Sequence, residues 1–398
     1  MNHHKQVAHI SVSIGEELGL PHREIADLGL AGAVHDIGGL SLDSRLEVLE
    51  FEVARPELHT LPGYLLLSTF QPFYRLAQLV RYHHQYWQNG EGAECGGRPV
   101  PMGAHILHLS DRIAVLVDQQ GEILSQVGWI VERIRKNSGY MFVPEQVKAF
   151  EELAGRESFW LDLMSPSVCS YIEEKYDLGT MTMGSAELTE FTAMLSRLID
   201  FRSRFTATHS RGVAVVAETL ADKCSLSAMD CYIMKLAGFM HDIGKLVVPA
   251  GTLEKKRKLT PADFNLIRKH PYYSYRILQS LYKIRQVAEW SACHHERLDG
   301  TGYPFHLEKE ELTMGSQVLA VADTFTALTE VRPYRAAMSK RGTLRILEQM
   351  AERGKLNPEL VDLLRTDYDH FNHLRSRAQQ EAYEQHNWFM AEIESLFC

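Results

Sequence analysis

The chain has 398 residues and 45.3 kDa, with 42 Lys+Arg against 51 Asp+Glu, a formal net charge of −9 and a pI near 6.1. Its 45% apolar and 23% charged residues are globular composition, which excludes a disordered or collagen-like chain, and the acidic balance excludes a protein that coats nucleic acid. The length predicts two or three domains at roughly 150 residues each, and no stretch approaches the roughly 18 unbroken apolar residues of a membrane helix.

The opening MNHHKQVAHI lacks the basic-then-apolar layout of a signal peptide. The six cysteines (95, 169, 224, 231, 293, 398) include no C-x-x-C pair, so neither a disulfide framework nor a zinc ribbon is expected. A soluble cytoplasmic protein is the expectation. Apolar spacing reads as helix almost throughout. A first all-α body is predicted over residues 1–150, followed by a helical connector over 151–185 with breaks at Pro166, Gly179 and Gly184. A second body follows over 186–370. In it Val213, Val216 and Leu220 repeat at three-to-four spacing, as do Ile233, Leu236, Ala237 and Met240. Thr260-Pro261-Ala262-Asp263 is a helix start, with a capping hydroxyl, a first-turn proline and an acid. Ser316 is read as opening the helix QVLAVADTFTAL. A terminal helix over 371–398 carries Trp388, Phe389, Ile393 and Leu396 at helical spacing, which suits packing on the parent domain or a homodimer contact. Strands are expected to be scarce, and KLVVP and VRPYR to be at most short turns or extended pieces.

The 19 histidines expose an internal repeat. In the second half His209 is followed by His241-Asp242, His270, His294-His295 and Asp323; in the first half His3 is followed by His35-Asp36, His59, His83-His84 and Asp111. His3 and His209 stand as far apart as His35 and His241, and the later pairs keep that separation within a few residues. GYMFVPEQV from Gly139 also matches GKLNPELV from Gly354. Two copies of one domain explain this pattern.

Asp323 sits in the almost wholly apolar run VLAVADTF, and Asp242 ends another apolar helix. A carboxylate buried on such a face needs a cation or strong donors. Five histidines and two aspartates on separate apolar helices form a nitrogen/oxygen set without thiolate, which suits iron, manganese or zinc. Seven ligands exceed what one tetrahedral ion takes, so a dinuclear centre is expected; such a pair makes hydroxide near neutral pH and clamps a phosphoester. His105 and His108 are read as core or surface residues, and KKRK (Lys255–Lys258) as a solvated charge run that steers anions.

HDIGK (His241–Lys245), HHERLDGTGYP (His294–Pro304) and VADTFTALTEVRPYR (Val321–Arg335) resemble the HD-GYP family of bacterial cyclic di-GMP phosphodiesterases. The whole chain resembles the subgroup in which a degenerate HD domain precedes the HD-GYP domain. That resemblance implies two tandem all-α HD-type domains, the second with the HD-GYP extension. It implies one metal on His209, His241, Asp242 and Asp323, and a second shared through Asp242 and held by His270, His294 and His295, with iron or manganese as the metals. It implies Asp242 and Lys245 as catalytic residues. Lys245, Arg332 and Arg335 would contact phosphate, and Gly302 and Tyr303 would shape the loop and stack on a base. The reaction implied is opening of cyclic di-GMP to pGpG and onward to GMP, with cyclic GMP-AMP or a non-catalytic receptor as alternatives. A diguanylate cyclase or other signalling partner at the GYP loop is implied as well. Relatives with a third metal carry a carboxylate where this chain has Phe205, so two metals are expected.

In the first domain all seven ligand types survive at His3, His35, Asp36, His59, His83, His84 and Asp111. Lys245 is replaced by Gly39, the GYP loop by QYWQNGEGAE, and the two arginines by Gln120 and Ile123. Two readings stand: a metal-binding domain without turnover, or buried histidines without metal.

Overall fold

The computed structural model describes residues 3–39, 50–166, 182–202, 208–253, 255, 259–280, 284–331 and 336–395. Two compact units form, Met1–Gly184 and Ser185–Cys398. Both are helical. In the first, α1 (His3–Glu17), α2 (His22–Val34), α3 (Glu57–Ser68), α4 (Tyr74–Tyr82), α5 (Met102–Leu116), α6 (Ile123–Arg135), α7 (Pro144–Ala154) and α8 (Glu157–Met164) follow in order. In the second, α9 (Ser185–Arg202), α10 (His209–Lys223), α11 (Ala228–Met240), α12 (Pro261–Ile267), α13 (His270–Leu278), α14 (Arg285–Ala292), α15 (Met314–Thr329), α16 (Lys340–Glu352), α17 (Pro358–Thr366) and α18 (Tyr368–Ser395) do so.

The repeat read in the histidines is a repeat of structure. α1 and α10 are each 15 residues long and open on the first histidine of their set; α2 and α11 are each 13 residues and end just before the His-Asp pair. α7 and α17 each begin on a proline, preceded by Gly139 and Gly354, both at positive φ. Matching small residues let matching helices touch. A Cβ on Gly238 would lie 2.4 Å from the Ala214 Cα, and one on Gly32 would lie 2.6 Å from the Ala8 Cα.

The cores follow the apolar spacing. Val213, Val216, Leu220, Leu236, Val318, Val321 and Phe325 are fully buried in the second unit, each worth roughly 1.5–3 kcal/mol in water-to-core transfer. The Thr260–Asp263 start is a complete capping box. α15 begins two residues earlier than Ser316 because the Thr313 hydroxyl accepts from the Ser316 N–H at 3.3 Å and so caps the helix. KLVVP lies on a short 3-10 turn, Ile243–Val247, running out into extended backbone at Val248. Among the described residues strands are scarce: beside two isolated bridges, a hairpin pairs Glu94–Cys95 with Arg98–Pro99. Gly96 and Gly97 at positive φ form its tight turn.

The stretch read as a connector from 151 is, through Met164, part of the first unit's core. Phe159, Trp160 and Leu163 bury themselves beside Phe150, so burial continues past the boundary expected at residue 150. The rest of that stretch described here resumes at Thr182. α18 packs along α10, burying Phe389 and Ile393 while Trp388 stays exposed; Leu396 lies outside the described residues. Cys95, Cys224, Cys231 and Cys293 are free thiols. No helix of the described residues is long and apolar enough to cross a membrane.

Candidate metal centre

The second unit brings its seven predicted ligands together. Each sits at a helix terminus or within an apolar helix, so the backbone fixes where its side chain points. His209 opens α10, His241-Asp242 follow α11, His270 opens α13, His294-His295 follow α14, and Asp323 lies mid-way along α15. His209, His241, Asp242, His270 and His294 are at most 2% exposed. His209 Nε2 lies 3.1 Å from Asp323 Oδ1, and His241 Nε2 lies 3.3 Å from Asp242 Oδ2. The other Asp242 oxygen, Oδ1, faces His270 Nε2 at 3.1 Å and His294 Nε2 at 4.0 Å. His295 Nδ1 is 4.0 Å from Asp323 Oδ2. The donors fall into two subsets, His209/His241/Asp323 and His270/His294/His295, with Asp242 reaching both.

The hydrogen bonds dictate the tautomers. His241, His270 and His294 each donate Nδ1–H to the carbonyl three residues earlier, on Gly238, Ile267 and Ser291, at 2.8, 2.8 and 2.6 Å. A carbonyl can only accept, so each neutral ring turns an Nε2 lone pair inward, the form a metal takes. His270 Nε2 and His294 Nε2 then face each other at 3.2 Å. Two lone pairs at that distance repel unless a cation lies between them, and His241 Nε2 is buried without a hydrogen-bond partner. Burial first, then the neighbouring His241 and His270, pulls His294 down to about 3, and burial pulls His295 well below the ordinary histidine range. Burial also opposes ionisation of Asp242, but Lys245 and His241 together outweigh it and keep the carboxyl well below its usual range. The lowered His294 and His295 beside the ionised Asp242 are nitrogen and oxygen donors of the kind a divalent transition metal takes.

The first unit repeats the arrangement. His3 Nε2 lies 3.1 Å from Asp111 Oδ1, His35 Nε2 3.2 Å from Asp36 Oδ2, and His59 Nε2 3.7 Å from Asp36 Oδ1. His84 Nε2 is 3.8 Å from Asp111 Oδ2, and the His59 and His83 Nε2 atoms face each other at 3.3 Å. His35 and His83 donate Nδ1–H to Gly32 and Val80. The Nε2 atoms of His3, His35 and His84 and one oxygen each of Asp36 and Asp111 lack a hydrogen-bond partner.

HD domain families match twice, over residues 1–116 and 193–360. A 3'3'-cGAMP-specific phosphodiesterase 1 of Vibrio cholerae is 28% identical over 92% of this chain and 86% of its own length. The cyclic di-GMP phosphodiesterase response regulator RpfG of Xanthomonas campestris is 36% identical over 51% of this chain and 52% of its own length. A solved cyclic GMP-AMP specific phosphodiesterase of V. cholerae superposes with a TM-score of 0.62 at 22% identity, covering 92% of both chains, and so shares the fold. Two HD domains, each with its ligand cluster, and relatives that match across both decide the family. The chain is a tandem HD-GYP phosphodiesterase, a metal-dependent hydrolase.

Several residues that the tandem HD-GYP chain uses around its centre escaped the sequence reading. Glu330 is buried and accepts from His209 Nδ1 at 3.1 Å and from Gln379 Nε2 at 3.0 Å. Burial disfavours the charged His209 ring, but Glu330 and Asp323 together outweigh it and raise the ring to about 9. The signal was available: Glu330 follows Asp323 by two helical turns and so shares its face. Gln379 lies on α18 and carries no local signal. Glu296, inside HHER, accepts from the Phe305 N–H at 2.7 Å and the Leu307 N–H at 3.2 Å, which holds the GYP loop against the centre. Gly302 is required there, since a Cβ would lie 2.4 Å from the Arg297 N. In the first unit Arg112, fully buried, pairs with Asp111 Oδ2 and donates to the Glu50 and Phe51 carbonyls. Position 324, its counterpart after Asp323, is a threonine.

Among the predicted substrate residues, Lys245 Nζ pairs with Asp242 Oδ2. The Tyr303 ring lies against His295 with centroids 4.9 Å apart. Arg332, Arg335 and Phe205 lie outside the described residues. His105 and His108 are buried, and His108 stacks on Tyr86. Lys255 pairs with the capping Asp263, and the rest of KKRK lies outside the described residues.

Proposed function

We propose that the second unit opens a 3'3'-linked cyclic dinucleotide to its linear form, on a dinuclear iron or manganese centre held by His209, His241, Asp242, His270, His294, His295 and Asp323. The observation that carries this reading is Asp242, whose two oxygens face both donor subsets while Lys245 sits on the same carboxylate. A metal pair bound there supplies an activated water and Lewis-acid stabilisation of the phosphoester. The chain's own residues do the rest. Backbone-anchored imidazoles keep their Nε2 atoms aimed inward, Glu330 fixes His209, and Lys245 supplies the charge that offsets build-up on the nonbridging phosphate oxygens. Tyr303 offers a ring face for a purine.

The motifs favour cyclic di-GMP, taken to pGpG and then to GMP. Cyclic GMP-AMP is a second reading, favoured by a relative that matches across both units and is named cGAMP-specific. The test is turnover of both dinucleotides by manganese- or iron-loaded protein, followed by chromatography of the products. Linear dinucleotide from either supports the reading, and the ratio of kcat/KM assigns the substrate. Tight binding with no product would replace it with a receptor.

For the first unit we propose a metal centre without turnover. Its donors match those of the second, but it lacks a counterpart of Lys245, and Arg112 occupies one oxygen of Asp111. A His35→Ala/Asp36→Ala variant is expected to lose about half of the metal per chain by elemental analysis while phosphodiesterase activity persists. Unchanged metal content would refute the site.

A further inference from the structure

A cyclic dinucleotide carries two phosphates; among the described residues the metal ligands with Lys245 account for one, and Arg332 and Arg335, implied as phosphate contacts, lie outside them. The other phosphate must also leave water, and it needs its own cation to do so. Two arginines stand beside the GYP loop with no role so far. Arg268 precedes His270 by two residues, and its guanidinium carbon lies 5.6 Å from the centre of the Tyr303 ring. Phe264 meets the same ring edge-on at 6.0 Å. Arg297 follows His295 by two residues and is half-buried; its Nη1 donates to the Glu296 carbonyl at 3.2 Å. Among the described residues neither guanidinium forms an ion pair with a carboxylate, whereas Lys245 and Lys255 both do. A half-buried guanidinium that makes no direct ion pair keeps hydrogen-bonding capacity for an incoming anion, and its fork suits phosphate oxygens.

The repeat supplies an independent comparison. Counting from the matching histidines, the first unit has Glu57 where the second has Arg268 and Tyr86 where it has Arg297. Tyr86 there is packed against His108 and Tyr140. The seven ligand types are kept in both copies, while these two cations occur only in the copy that also has Lys245. Metal binding therefore does not require them.

We propose that Arg268 and Arg297, grouped around Tyr303, bind the phosphate of the cyclic dinucleotide that is not being cleaved. The proposal rests on the cyclic-dinucleotide reading above and deepens it. The full chain, metal-loaded, is compared with Arg268→Gln, Arg297→Met and Arg297→Lys, using the better cyclic dinucleotide and bis(4-nitrophenyl) phosphate, a diester with a single phosphate. Arg268→Gln and Arg297→Met are expected to raise KM for the cyclic dinucleotide roughly tenfold or more. The effect on the one-phosphate ester should be far smaller, and Arg297→Lys should recover part of the loss. Equal losses on both esters, or reduced metal content, would make the arginines structural and overturn the proposal; so would unchanged KM in an active enzyme. If Arg297→Met does not fold, Arg268→Gln alone decides. A wild-type protein that neither binds nor cleaves any cyclic dinucleotide overturns the functional reading itself, an outcome distinct from unchanged variants of an active enzyme.

Discussion

Asp242→Asn is expected to lower cyclic-dinucleotide turnover on the order of a thousandfold or more and to strip metal from the second unit. The substitution keeps size and shape, so its effect isolates charge. Oδ1 faces His270 and His294 while Oδ2 faces His241 and Lys245, and Asp242 stands closer to the second donor subset than Asp323, which reaches it only through His295 at 4.0 Å. With a neutral amide the five imidazoles face an ammonium without its counter-charge, which raises the cost of placing a divalent cation there. Burial already keeps His294 and His295 neutral, so their protonation state cannot compensate. Metal per chain by elemental analysis and product formation by chromatography are to be read together. Full metal content with intact turnover would show that Asp242 is not a shared ligand.

Gly238→Ala is expected to destabilise the second unit by about 3 kcal/mol, although Ala is the better helix former by about 1 kcal/mol in an open helix interior. The sign is decided by the Ala214 backbone. A new methyl would sit 2.4 Å from its Cα and 2.8 Å from its N, and a packed backbone does not yield as a flexible side chain would. α10 and α11 must separate. The same displacement moves the Gly238 carbonyl, which accepts from His241 Nδ1, so metal affinity falls with stability. Gly32→Ala is the matching experiment in the first unit, where the Ala8 Cα stands 2.6 Å away and the Gly32 carbonyl holds His35. Each is to be followed by denaturant unfolding monitored by circular dichroism. A stabilised Gly238→Ala protein would mean that the helices can part without cost.

Much of the centre was legible because its residues are chemically conspicuous. His241-Asp242 and Asp323 stand out against apolar helices, where an ionisable group requires a reason, and the second set of histidines at a steady separation makes the repeat visible. The helix starts were legible where capping is local, as at Thr260–Asp263. The start of α15 was misplaced by two residues because Thr313 and Ser316 are both competent caps. The extent of the first unit's core was misjudged for a different reason. Apolar spacing marks a helix over 157–164, but it does not say whether that helix folds back onto the body before it, as Phe159 and Trp160 do.

The linear order of residues by itself determined the all-α class, the duplication, and which side chains are able to hold metal. Each of these depends on residue type and on spacing within one helix or between copies. Only the tertiary structure decided that Glu330 fixes His209 with help from Gln379, that Arg112 claims an oxygen of Asp111, and that Arg268 lies over Tyr303. The Glu330, Gln379 and Tyr303 contacts join segments distant along the chain, and Arg112, although next to Asp111, is held there by the distant Glu50 and Phe51 carbonyls; an ordinary polar residue acquires its role only from what the fold sets against it.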